Sequence, residues 1–128
     1  MTNYDITDIE TAIMEVVRTA GVTATVYPNR PKAQVKAGDF AVVRVSYDVN
    51  DRAAYATCSV RVALYARDVD NIKNGVKLGL MYDALVANMP TETGRYMIDP
   101  NPTITPDLAD DYGFHARIVT FKLTIKIQ

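Results

Sequence analysis

The sequence predicts an α+β fold: a mostly antiparallel sheet of four to five strands with two amphipathic helices packed on one face. Three observations predict it. Two segments carry apolar residues at spacings of three and four, the repeat of a helix with one buried side. Three others alternate apolar and polar residues one by one, the repeat of a half-buried strand. At 128 residues the chain has the length of a single domain, residues 1–128, and can bury a normal core.

The first helix rests on Ile6, Ile9, Ile13, Val16, Val17 and Ala20, which share one face. Asp5 is placed to cap it, Tyr4 and Ile9 to staple its start, Thr7 and Glu10 to form a capping box, and Gly21 to stop it. Asp8, Glu10, Glu15 and Arg18 fall on the solvent side. A short strand over residues 22–27 ends at Pro28, and residues 28–39 read as an exposed loop with the cations Arg30, Lys32 and Lys36. Val43, Val45, Tyr47 and Val49 alternate with polar residues. After a polar turn at residues 50–52, Cys58, Val60, Val62, Leu64 and Ala66 do the same, so the two runs predict an antiparallel hairpin.

Asp68 or Asp70 is the expected cap of the second helix. One stripe contains Ile72, Val76, Leu80, Ala84 and Ala87, and Leu78, Met81, Leu85 and Met89 widen it. So broad an apolar surface predicts burial against the sheet, with another subunit as a second candidate cover. Pro90 ends the helix. Residues 95–99 and 103–105 are short candidate strands, the latter at an edge because prolines flank it. The closing strand is the clearest: Val119, Phe121, Leu123, Ile125 and Ile127 alternate with Thr120, Lys122, Thr124 and Lys126. The expected core is Ile9, Ile13, Val17, Val43, Val45, Val60, Val62, Leu64, Val76, Leu80, Phe121, Leu123 and Ile125. The sheet's second face, with Arg44, Ser46, Arg61, Thr120, Lys122 and Lys126, is expected to be wet, or else to face another protomer or the lumen of a ring.

Composition excludes several function classes. A net charge of −1 creates no field that would recruit nucleic acid or an anionic membrane. The single Cys58 offers no internal disulfide, residues 1–4 lack a basic, apolar leader, and no run reaches the ~18 apolar residues of a membrane span. These features predict folding in a reducing cytoplasm. His115 is the sole histidine, so no two-histidine metal site exists, and no nucleophile with an orienting partner is evident around it. Cys58 falls on the core side of its strand. Asp107, Asp110 and Asp111 lack the ligand alternation of a calcium loop, and the scattered glycines form no phosphate-binding loop. The sequence therefore predicts no catalytic residue, no cofactor, no metal and no enzyme activity.

The basic loop with Arg30, Lys32 and Lys36 reads either as a solvated connector or as an electrostatic contact to an acidic neighbour, which would be Asp107, Asp110 and Asp111 or the acidic face of the first helix, with Tyr27 and Tyr112 as aromatic candidates for the same interface.

In order and length the elements resemble the small head–tail joining proteins of tailed bacteriophages, the tail terminator or tail completion group. The resemblance is carried by the helix ITDIETAIMEVVRTAG, the strand and proline loop TATVYPNRP, and the hairpin FAVVRVSYDV…ATCSVRVALYARD. The helix VDNIKNGVKLGLMYDALVANM and the closing strand HARIVTFKLTIKIQ complete it across essentially the whole chain. It implies a structural virion protein assembled in the host cytoplasm as a ring, often a hexamer. Such a ring ends the tail tube, meets the neck and connector proteins, and passes DNA through its centre. A small α+β module binding a peptide or metabolite is the alternative, and it would carry a concave pocket of converging polar groups.

Overall fold

The chain's two apolar helix stripes and its alternating strands meet in one core. A computed structural model describes residues 6–23, 25–28, 38–45, 50–52, 55–109 and 113–126. Helix α1 (Ile6–Thr19) leads into strands β1 (Val26–Tyr27), β2 (Asp39–Val45), β3 (Asn50–Arg52) and β4 (Tyr55–Arg67). Helix α2 (Gly75–Asn88) follows, then β5 (Glu92–Thr93), β6 (Tyr96–Ile98), β7 (Thr103–Ile104), β8 (Leu108–Ala109) and β9 (Phe114–Lys126). Among the described residues the nine strands belong to one sheet, with the spatial order β1-β2-β4-β9-β6-β5 and β3, β7 and β8 paired beside β4 and β9.

The class is α+β as expected, but the sheet is larger than four to five strands and it is mixed. β1 runs parallel to β2, and every other pairing is antiparallel. β6 and β7 fall in the candidate strands expected over residues 95–99 and 103–105, while β3, β5 and β8 are two- and three-residue pieces inside stretches that read as turns and loops. These have too few residues to show an alternation, and β4, β6 and β9 recruit them by backbone pairing. Asn50–Arg52, expected as a turn, is one of them, paired with Tyr55–Thr57. The strand expected over residues 22–27 shrinks to two residues, because the Thr23 hydroxyl accepts from the Thr25 amide and donates to Asp39, giving the backbone a local alternative to a ladder.

β4 and β9 pair over their full 13 residues and form the spine of the sheet. Register sorts their side chains: Val60, Val62 and Leu64 line up with Val45, Val43 and Ala41 of β2 on one side, and Val60 and Val62 with Phe121 and Val119 of β9 on the other. This face receives both helices, α1 over β1 and β2, α2 over β4 and β9. Ile9, Ile13 and Val17 from α1 and Leu78, Met81 and Leu85 from α2 are fully buried against it. Gly21 stops α1 in the left-handed region (φ +79°), its amide donating to the Arg18 carbonyl. Asn88 holds the helix ends together by donating to the carbonyls of Ala20 and Ala84.

The expected core is buried with two corrections. Val76 and Leu80 are 78% and 61% exposed, and Ile72, expected on the same stripe, is 69% exposed. α2 is apolar on two opposite sides, and the sheet takes the side of Leu78, Met81 and Leu85. The cap is also displaced: Asn74, not Asp68 or Asp70, accepts from the Lys77 amide at 3.1 Å. Asp5 and Tyr4 lie outside the described residues. The Glu10 carboxylate accepts from the Val45 amide and so ties α1 to the end of β2.

Candidate interaction surfaces

Three regions of this framework are organised for something other than the main core. The first is a polar cluster at the Ala66 end of the helix-covered face. Register puts His115 opposite Ala66 and Arg117 opposite Leu64, so both polar side chains emerge where the apolar rows stop. Arg117 grips Asp107 with two parallel hydrogen bonds, Nε to Oδ1 at 2.7 Å and a terminal nitrogen to Oδ2 at 3.0 Å. Lys73, just before α2, adds a contact to Oδ2 at 3.1 Å, and the guanidinium sits 5.9 Å from the Tyr82 ring centre. The Asp107 carboxylate is only 6% exposed. Arg117's hydrogen bonds hold its pKa below the usual carboxylate range despite burial, and the same pair holds the guanidinium above its own. Beside it, His115 Nδ1 donates to Asp68 Oδ1 at 2.6 Å, since an ionised carboxylate can only accept.

Asp107, a sequence candidate for contact with another subunit, is therefore committed within its own chain. The sequence hid this because Arg117 lies ten residues away, at a core-side position of β9 where the alternation gives no sign of an acidic partner. Of the other interface candidates, Tyr27 is half-buried. Arg30, Lys32, Lys36, Asp110, Asp111 and Tyr112 lie outside the described residues.

The second region is the sheet face away from the helices. It is divided rather than uniformly wet. At one end Phe40 and Phe114 are buried, with Phe40 stacked on Tyr65 at 4.5 Å between ring centres and edge-on to Phe114 and Tyr27. The Arg67 guanidinium lies 4.5 Å over the Phe114 ring. This second core was missed because Phe40, Tyr65 and Phe114 lie on three segments, and only register brings them together. At the other end Arg44, Arg61, Lys122 and Lys126 are exposed as expected. Arg44 and Arg61 stand directly opposite each other on β2 and β4. Among the described residues Arg44, Arg61 and Lys122 have no acidic partner, while Lys126 pairs with Glu92. A shallow open groove with Thr57, Ser59, Lys122 and Thr124 along its floor adjoins them.

The third region is the outer side of α2, where Val76 and Leu80 continue a turn in which Val69 and Ile72 are also exposed. That turn is rigid: the Val69 and Ile72 amides donate to each other's carbonyls at 2.9 Å, and Asp70 and Asn71 both take positive φ. Lys73 and Lys77, which flank the stripe, are paired with Asp107 and Asp39.

Cys58 is buried, and burial raises its thiol pKa to about 11. Among the described residues no three His, Cys, Asp or Glu side chains converge as metal ligands, and no helix is long and apolar enough to cross a membrane.

No protein-family model matches the chain, and no curated protein matches it. Its fold does recur in solved structures. A chain of the virion of a native gene transfer agent particle superposes with a TM-score of 0.62 at 8% identity, covering 97% of this chain and 99% of that one. A second structure, of a protein whose name describes no function, gives a TM-score of 0.57 at 13% identity over 94% and 92% of the two chains. At such identities the likeness is one of fold.

Proposed function

We propose that this protein is a structural component of a phage-like particle, a ring-forming subunit of the head–tail region that ends the tail tube and joins it to the capsid connector. Its partners on this reading are further copies of itself, in a ring such as a hexamer, the tail tube protein and the neck proteins, with DNA only in transit. It acts in the virion after assembly in the host cytoplasm, and it catalyses nothing. The observation that carries the reading is the end-to-end likeness in fold to a chain of a gene transfer agent virion, with almost no residue of either chain left over. Two bare, unlike surfaces, the outer side of α2 and the cationic part of the sheet, are consistent with a subunit covered on both sides by neighbours.

The test is genetic. Disrupting the gene in the genome that carries it should leave filled capsids and separate or overlong tails in electron micrographs, with no joined particles. Supplying the gene in trans should restore joining. Normal particles formed without the protein would overturn the proposal.

A further inference from the structure

We infer that the outer side of α2 is the surface by which one copy docks on the next, and that it lands on the cationic half of the neighbour's bare sheet face. The inference rests on the ring-forming reading above and names its contact.

α2 has two apolar sides, and its own chain covers one. A helix that is apolar all round belongs in an interior, so the side of Val76 and Leu80 lacks its cover in a single copy. Val69 and Ile72 are bridge partners and so project from the same side of their turn, extending the stripe. From their exposures the four side chains present on the order of 500 Å² of apolar surface, as large as the largest patch expected on a monomer. That is over half of the roughly 800 Å² per partner that a stable interface buries. The flanking charges do not oppose covering it. Lys77 pairs with Asp39, and Lys73 shares Asp107 with Arg117; both lysine side chains stay half-exposed at the border of the stripe, where their ammonium groups can keep water.

Charge selects the occupant. Two carboxylates within this side, Asp70 in the turn and Asp83 one turn beyond Leu80, form no direct ion pair among the described residues, although Arg117 feels the charge of Asp83 from farther off. On the opposite side of the molecule, Arg44 and Arg61 oppose each other across two strands with Lys122 diagonal to them, again without acids. Like charges directly opposed in a sheet destabilise it unless an anion sits between them. A second copy of this chain supplies both halves: its Asp83 falls between Arg44 and Arg61, and the aliphatic stems of those arginines receive Leu80 beside it. The two surfaces differ and face opposite ways, so the contact is head-to-tail and propagates into a ring when the rotation closes.

The test is sedimentation velocity of the full chain over a wide concentration range, with circular dichroism and thermal melting as folding controls. Wild type should assemble, and Leu80→Glu should stay monomeric while melting like wild type at dilutions where both are monomers, because the position is exposed. Arg61→Glu and Asp83→Arg should each weaken assembly on the order of tenfold or more, and the double variant should recover most of it. A wild type that is monomeric throughout overturns the inference, as does Leu80→Glu that assembles normally. A double variant no better than the singles overturns the pairing of the two faces and, with it, a second copy as the occupant. Each of these results can occur while the gene disruption still abolishes joining, so the two proposals fail separately.

Discussion

Asp107→Ala should destabilise this protein far more than loss of an ordinary loop carboxylate. The aspartate joins the β7–β8 segment to β9 through Arg117 and to the start of α2 through Lys73. Removing it leaves a guanidinium beside fully buried Leu64 without its hydrogen-bonded carboxylate, the charge of Asp83 acting on it only from farther off. Breaking a buried pair from one side costs about 3–5 kcal/mol. Arg117 keeps 22% exposure, and the water that reaches it screens part of the loss, which brings the expectation to about 2–3 kcal/mol. Urea unfolding by fluorescence and circular dichroism, extrapolated to water, measures it. The pH dependence has a definite sign. Arg117's hydrogen bonds, foremost, depress the Asp107 pKa in the folded state, so this contribution is full above the unfolded value of about 3.9 and is lost as pH falls through the folded one. Asp107→Asn should accordingly flatten the acid side of the stability profile below about pH 4. Replacing both partners, Asp107→Leu with Arg117→Met, should recover most of the loss, since no orphaned charge remains. A loss under about 0.5 kcal/mol for Asp107→Ala, within the range of ordinary surface changes, or an unaltered acid slope for Asp107→Asn, would refute the reasoning.

Three further outcomes are expected. On α2, Leu85→Ala should cost about 2–5 kcal/mol and Leu80→Ala within about 0.5 kcal/mol, in denaturant titrations at concentrations where the protein is a monomer; equal costs would reverse the helix phase described above. Phe40→Ala should cost about 3–5 kcal/mol by calorimetry or urea unfolding, because its ring is shared by Tyr27, Tyr65 and Phe114; a smaller effect than at an exposed tyrosine would deny the second core. Cys58, with its thiol pKa raised to about 11, should resist alkylation at pH 8 until urea unfolds the chain; prompt labelling of native protein, followed by mass spectrometry, would contradict its burial.

What the sequence determined by itself was everything governed by local periodicity. Ile9, Ile13 and Val17 had to form one face of a helix, and the alternation from Val119 to Ile125 had to form a strand with one dry side, because helical and strand geometry dictate which side chains are neighbours. Gly21 marked the end of α1 for the same local reason, its freedom to take positive φ. Periodicity also showed that α2 is broadly apolar. It did not show which side the sheet would take, because Ile72, Val76 and Leu80 form as good a stripe as Leu78, Met81 and Leu85. That choice belongs to the packing of α2 on β4 and β9. Only the tertiary structure decided the rest: the parallel pairing of β1 with β2, the recruitment of two-residue strands by β4 and β9, the stacking of Phe40 on Tyr65, and the capture of Asp107 by Arg117. Each depends on register between segments far apart in the chain, and register is a long-range property that no local pattern encodes. The candidate interaction surfaces follow the same division. Their residue types were legible, but whether a given charge or apolar side chain is free, as Arg61 and Leu80 are, or already satisfied, as Asp107 is, was set when the strands aligned and brought each its neighbours.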